Sequence, residues 1–264
     1  MITLPEAHNP ALKNRYFIEL AFNGSAYHGW QIQKNAVSVQ EILNNALTTI
    51  LRQPIDTIGC GRTDTGVHAK QLYAHFDLVS PTIDILQSTF IRRVNAVLPR
   101  DIAVKQLIKV TADAHARFDA TSRSYEYHAH LNKNPFLNGR SWLLRAEPNL
   151  TLMNEAAKIL LDYQDFSCFS KSNTQTFTNN CTIYNAQWQI SNHELIFYIS
   201  ADRFLRNMVR AIVGTLLRIG YHEINLDDMH AIIASKNRSN AGMSVPAHGL
   251  YLTEVIYPYI QNQN

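Results

Sequence analysis

From Arg15 to Phe22 the chain alternates: Tyr16, Ile18, Leu20 and Phe22 fall on one side and Arg15 and Glu19 on the other, the period of a half-buried strand. A loop from Asn23 to Trp30 follows. Ser38-Val39-Gln40-Glu41 then has the form of a capping box, in which the Ser38 hydroxyl accepts the Glu41 N–H and Glu41 reaches back. Behind it Val39, Ile42, Leu43, Ala46, Leu47, Ile50 and Leu51 recur at helical spacing until Pro54 forbids continuation. Ile55 to Ile58 predicts a short strand. Leu72, Ala74, Phe76 and Leu78 alternate with Gln71, Tyr73, His75 and Asp77 and predict another, with His75 solvated on its polar face. Thr82 is placed to cap a second helix with the stripe Leu86, Phe90, Ile91, Val94, Val97 and Leu98, stopped by Pro99. A strand through Ile102, Val104, Ile108 and Val110 closes the unit as β-α-β-β-α-β.

The second half follows the same order without repeating the sequence. Tyr125, Tyr127, Ala129 and Leu131 predict a strand, and Leu152, Ala156, Ala157 and Leu160 a helix. Tyr184 to Ile190 and Leu195 to Ala201 predict a strand pair. A long helix carries Leu205, Met208, Val209, Ile212, Val213, Leu216 and Leu217 on its stripe, with Gly220 placed to cap its C-terminus. A short helix over 226–235 and a strand over 250–257 finish the chain. The fold class is α+β: two ferredoxin-like, or RRM-like, β-α-β-β-α-β domains, residues 1–110 and 111–264, meeting near Lys109 to Ala116 with an active-site cleft between their sheets.

Composition agrees with two packed domains and narrows their setting. At 264 residues the chain is long enough for two cores, and 46% hydrophobic against 17% charged residues excludes a disordered chain. With 24 Lys+Arg against 21 Asp+Glu the net charge is +3, so a surface for a polyanion has to come from placement rather than total charge. Cys60, Cys168 and Cys181 form no CxxC pair and are odd in number, which argues against a disulfide framework or a zinc ribbon. Met1 to Asn14 has no apolar core of a leader peptide, and the longest apolar run, Ala211 to Leu217, is too short to cross a bilayer. The expectation is a cytoplasmic protein with no membrane association.

Chemistry is concentrated in Gly59-Cys60-Gly61-Arg62-Thr63-Asp64-Thr65-Gly66-Val67-His68-Ala69. A turn whose Asp caps backbone N–H groups is the plain reading. A phosphate-binding loop would need Gly-Lys-Ser/Thr at its end, and Val67 follows Gly66. A metal site on Asp64 and His68 lacks further ligands at nearby spacing. Asp64-Thr65-Gly66 matches the Asp-Thr-Gly of aspartic proteases, but those need two carboxylates sharing a proton; here there is one copy, with Arg62 beside it.

Gly61 to Ala69 resembles the catalytic signature of the tRNA pseudouridine synthase A family over nine consecutive positions. The resemblance extends to Phe22–Gln33, Ala116-Arg117-Phe118, Ser122-Arg123-Ser124-Tyr125, Phe204–Arg210 and His248–Leu252, in order along almost the whole chain. It implies isomerisation of uridine to pseudouridine at positions 38 to 40 of the tRNA anticodon stem-loop, by a homodimer needing no cofactor and no metal. Thr65 stands where the family commonly has alanine, and Asp202-Arg203 where it often has Asn-Ala. The chemistry fits one carboxylate: detaching a base and rejoining it through another atom needs a single nucleophile, not the two carboxylates and water of glycoside hydrolysis. The resemblance makes Asp64 that nucleophile, Arg210 its orienting partner and Tyr125 the ring that stacks on the flipped base. Arg62 is assigned to RNA contact or to the stack that the flipped base vacates. Arg203, Arg206 and Arg210 fall at i, i+3, i+7, a helical row able to meet phosphates, although such a row is also what a solvated helix face looks like. The alternative is a non-catalytic RNA-binding module of RRM-like domains; the strand from Leu72 to Leu78 lacks the aromatic motif such a platform uses.

Overall fold

The strands predicted from alternation join one nine-stranded sheet. The computed structural model describes residues 13–79, 84–171 and 177–260. In chain order its main elements are β1 (Lys13–Phe22), α1 (Val39–Leu51), β2 (Ile58–Gly59), β3 (His68–Val79), α2 (Ser88–Val97), β4 (Ile102–Val110), β5 (Ser122–His130) and β6 (Trp142–Leu143). There follow α3 (Leu150–Ile159), β7 (Ile183–Ser191), β8 (Glu194–Ala201), α4 (Met208–Gly220), α5 (Leu226–Ser235) and β9 (Leu250–Ile256). The sheet order is β4-β1-β3-β9-β5-β8-β7, with β2 also beside β3 and β6 beside β5. Within each half the order is thus fourth, first, third, second strand: β4-β1-β3-β2, then β9-β5-β8-β7.

The two halves do not form separate sheets, because their strands join one. β2 covers only His75 and Ala74 of β3, which leaves the start of that edge open, and β9 fills it in parallel through His68↔Tyr251 and Ala69↔Leu252. An unpaired strand edge exposes backbone donors and acceptors, so closing it with a strand from the other half is favourable. The two hydrophobic clusters trade residues at this seam: Leu252, Val255 and Tyr257 pack in the first, and Val67 packs in the second.

The helix signals were good guides where capping chemistry was explicit. Ser38 accepts the Glu41 N–H, and α1 ends on Arg52 in the left-handed conformation (φ 56°), two residues before Pro54. Asn225 and Asp228 form a complete capping box on α5. The start of α2 differs: it begins at Ser88 after Gln87, which gives no side-chain cap, and Leu86 and Val97, expected on its stripe, are exposed. Thr82 lies outside the described residues. Gly220 is the last residue of α4, with Tyr221 as its cap, and Leu205 is buried ahead of that helix rather than within it.

β1 and β3 are buried on both sides, not half-exposed. Phe17 is covered by Tyr257 and Tyr259, with ring centroids at 5.2 and 6.1 Å. Glu19 is buried as well, accepting from Tyr73 Oη at 3.0 Å, Gln71 Nε2 at 3.3 Å and Gln106 Nε2 at 2.5 Å, with Lys105 Nζ at 3.4 Å. His75, expected to be solvated, is only 3% exposed. Its Nδ1 accepts the Ala116 N–H at 3.1 Å, and burial, helped by the charge of Arg15, pushes its pKa down to about 4. Alternation reports side-chain type along one strand; the cover comes from residues far away in sequence.

Candidate active site

The site is built on the connection between β2 and β3. Cys60 N–H still donates to Tyr73 O at 2.7 Å, after which the chain leaves the sheet. Val67 N–H donates to Asp64 O at 3.1 Å, closing a turn with Gly66 in the left-handed region (φ 81°). The opening loop, 23–30, braces this turn. Gly66 N–H donates to Tyr27 O at 3.2 Å, and Gly29 (φ 83°) lies so close that a Cβ there would stand 2.2 Å from Thr63 O. His68 locks the base of the turn: Nδ1 accepts the Gly24 N–H at 2.9 Å, while Nε2 lies 3.1 Å from the carbonyls of Gly139 and His248. Those partners define a neutral imidazole with its proton on Nε2, and burial holds its pKa below the usual histidine range. His68 is thus a buried brace joining three segments.

Arg210, in the first turn of α4, reaches the carboxylate: Nη1 donates to Asp64 Oδ2 at 3.2 Å. Its Nε donates to Val245 O at 2.7 Å, and Val245 N–H returns a bond to Arg210 O at 3.2 Å, so the guanidinium is held from behind before it meets Asp64. The segment carrying Val245 is itself seated on α4, with Gly242 N–H donating to Thr215 Oγ1 at 2.8 Å. Arg206 Nε stands 3.9 Å from Asp64 Oδ1, beyond hydrogen-bond range. The side chains of Asp64, Arg210 and Arg206 are 26, 19 and 56% exposed, so Arg210 is the less exposed, hydrogen-bonded partner and Arg206 the exposed, more distant one. One carboxylate oxygen therefore accepts a hydrogen bond, and the other has only the longer ion-pair contact with Arg206.

Tyr125, on β5, is half-buried with its ring edge-on to Phe204 at 5.1 Å. Burial raises its hydroxyl above the ordinary tyrosine range, and the nearby charge of Asp64 adds to the shift. Arg62 is exposed and makes no hydrogen bond or ion pair among the described residues. The expected helical row of arginines is not formed. α4 begins at Met208 after Asn207 in the left-handed conformation (φ 67°), so Arg203 and Arg206 precede the helix. Arg203 N–H donates to Asp202 Oδ1 at 2.7 Å, and only Arg206 of this pair approaches Asp64. Sequence reasoning missed the bracing roles of His68, Phe204 and Val245, whose partners are backbone atoms or rings many residues away. The close glycines of the opening loop were the one local signal. Among the described residues no three His, Cys, Asp or Glu side chains are disposed to hold a metal ion, and no helix is long and apolar enough to cross a membrane.

Known proteins resemble this chain along nearly its whole length. Residues 156–258 match the family described as tRNA pseudouridine synthase. A tRNA pseudouridine synthase A of Porphyromonas gingivalis is 49% identical over 246 residues, covering 92% of this chain and 97% of its own. That of Bacteroides fragilis is 47% identical over 245 residues, covering 92% and 96%. The protein of the same name from Clostridium acetobutylicum is 38% identical over 242 residues, covering 91% and 98%.

Proposed function

Because this chain belongs to the tRNA pseudouridine synthase A family, we propose that Asp64 is the nucleophile with which it isomerises uridine to pseudouridine in tRNA, at positions 38 to 40 of the anticodon stem-loop. The observation that carries the assignment is the asymmetric carboxylate: Oδ2 rests on a guanidinium that is held from behind, and Oδ1 accepts no hydrogen bond among the described residues, with only Arg206 at 3.9 Å. A nucleophile has to be aimed and still have a free lone pair, and this arrangement supplies both. In the reaction the N1–C1′ bond breaks, C5 bonds to C1′, the C5 hydrogen leaves as a proton and N1 gains one, so the product is an isomer and no co-reactant is consumed.

A paired uridine has to leave its stack before Asp64 can reach it, at a cost of a few kcal/mol. Tyr125, whose ring is steadied by Phe204, is the face on which the extruded base stacks. Arg62, with no hydrogen-bond or ion-pair partner among the described residues, is placed for phosphate or for the vacated stack, and Arg206 and Arg203 line the approach. We read residues 1–110 and 111–264 as two ferredoxin-like domains, supported by the repeated strand order and by the two hydrophobic clusters, and the working form as a cytoplasmic homodimer without a cofactor. A bare RNA-binding module would have no use for a carboxylate held on an arginine where RNA phosphates are to bind.

The test is tritium release from C5-labelled uridine in an unmodified tRNA transcript. The wild type is expected to release label and Asp64→Asn to lose at least about 10⁴-fold in turnover, the scale of losing a nucleophile. Binding of the transcript should persist in the variant, since phosphate contacts dominate affinity. A wild type that releases no label removes the enzyme reading; an Asn variant at full turnover removes Asp64.

A further inference from the structure

Arg123 lies on β5 two residues before Tyr125, and among the described residues its guanidinium binds only backbone carbonyls. Nη1 donates to Ala120 O and Asp202 O, both at 2.7 Å, and Nη2 donates to Arg117 O at 2.7 Å and to Cys60 O at 3.4 Å. These four acceptors come from three stretches of chain distant in sequence. Cys60 is where the chain leaves the sheet to form the Asp64 turn. Asp202 leads into Phe204, Arg206 and Arg210, and its own side chain accepts the N–H of Arg203 and of Thr182, each at 2.7 Å. Arg117 and Ala120 belong to the connection between the halves, where Tyr257 Oη donates to Ala116 O at 2.5 Å.

Asp64 sits on a loop of the first half and Arg210 on a helix of the second. Besides their own ion pair, the halves meet at the far end of the turn, where His68 Nε2 lies 3.1 Å from His248 O and β3 pairs with β9; the root of the turn at Cys60 meets the second half through Arg123. A planar fork with five donors can fix the separation and the angle of several carbonyls at once, which a single ammonium cannot do. We infer that Arg123 is a positioning residue: it ties the root of the Asp64 turn to the strand end that leads to Arg210, and so sets the geometry of the pair without touching substrate. This inference rests on the proposed function and extends it to a residue outside the reacting groups.

The experiment measures tritium release from the C5-labelled transcript across tRNA concentrations for the wild type, Arg123→Ala and Arg123→Lys, each checked for folding by circular dichroism. For Arg123→Ala, kcat is expected to fall about 10²-fold, the effect of an ångström-scale misplacement, while KM for tRNA changes by less than about threefold. Millimolar ethylguanidinium should recover about tenfold of the lost kcat and ethylammonium should not, since only the former reproduces the fork. If the Ala variant does not fold, Arg123→Lys carries the test, with kcat expected about tenfold low at unchanged KM. A Lys variant with wild-type kcat, a loss confined to KM, or an Ala variant indifferent to ethylguanidinium overturns the inference. Failure of the wild type to release label would instead remove the proposed function, so the two failures are distinguishable.

Discussion

The two halves repeat one strand order and treat the same connection in opposite ways. In the second half, β7 and β8 pair from Ile183↔Ala201 to Ser191↔Glu194 and turn through only Asn192-His193, both left-handed at φ 49° and 66°. That is the geometry of a two-residue hairpin whose twist matches its strands. In the first half, β2 pairs with β3 at only two positions, and the chain then departs through residues 60–67 before β3 begins. The site exists because one of two equivalent hairpins gives up most of its ladder. Cys60 N–H makes the last bond to β3, at Tyr73 O; beyond it Gly66 N–H is taken by Tyr27 O of the opening loop, and the freed edge of β3 is taken by β9. Loops on a rigid scaffold carry function, and here the scaffold keeps an unmodified copy of the same connection for reference.

The comparison also separates two ways of holding a charge. The first half places Asp64 through close backbone contacts; the second places Arg210 through a side-chain bond to Val245 O, backed by a backbone bond from Val245 N–H. Arg210→Ala is the harshest test of the second, expected to lower kcat by about 10²- to 10³-fold in the tritium assay, the cost of removing one preorganised charged donor. A loss under about tenfold would mean that Asp64 is aimed by its own loop alone.

Gly29→Ala tests the first. Its Cβ would fall 2.2 Å from Thr63 O at a φ of 83°, so the opening loop has to shift and push the neighbour of Asp64. Destabilisation of about 1–3 kcal/mol is expected from urea midpoints, with kcat reduced beyond the unfolded fraction. Gly61→Ala, in the same turn, meets nothing within 4 Å and should stay within about 0.5 kcal/mol of wild type with full activity. Equal effects at the two glycines would refute bracing by close approach.

Acid should find the first half through His75. Its pKa of about 4 lies below that of a histidine in the unfolded chain, so between pH 6.5 and 4 the unfolded state binds a proton that the native state refuses. Stability then rises with pH across that window and is lost as pH falls through it, by up to about 1.4 kcal/mol per unit. Arg15 and His115, which lower this pKa, and Asp77 and Asp119, which raise it, are the charged and titratable neighbours to keep intact. His75→Gln should be less stable at neutral pH and should lose about 1–2 kcal/mol less than wild type between pH 6.5 and 5, read from urea midpoints. Parallel pH slopes would show that His75 takes up its proton without unfolding the protein.

What the sequence made legible follows from the range of each interaction. Capping at Ser38, the stripes of α1 and α4 and the β7–β8 strand pair are settled within a few residues and could be read directly, although Tyr184 and Ile190 of the β7 alternation are exposed. The Asp64 turn stood out because glycine, charge and histidine crowd into eleven positions, and the resemblance supplied Arg210 and Tyr125. Burial of Glu19 and His75, the fusion of two sheets into one and the brace from Val245 to Arg210 depend on partners tens to hundreds of residues away, which no local period reports. The arginine row failed for a local reason: Asn207 turns left-handed and starts α4 after Arg203 and Arg206, while a wheel drawn through all three assumes one continuous helix.

The smallest effect is expected on the unmodified hairpin. His193 holds φ 66° with a Cβ that makes this conformation unfavourable, at a cost on the order of 1 kcal/mol, which glycine does not incur. His193→Gly would make the turn Asn-Gly, the preferred pair for this geometry, while adding conformational entropy to the unfolded chain. The net gain should be about 0.5 kcal/mol, seen as a rise of about 1–2 °C in the melting midpoint, with kcat and KM unchanged. In the first half the same logic runs backwards. Gly66 already occupies the left-handed region, and Gly66→Ala would add there the Cβ that His193→Gly takes away, so it should lower both stability and turnover. A His193→Gly variant that altered turnover would show that the β7–β8 hairpin takes part in catalysis, and the contrast between the two connections would fail.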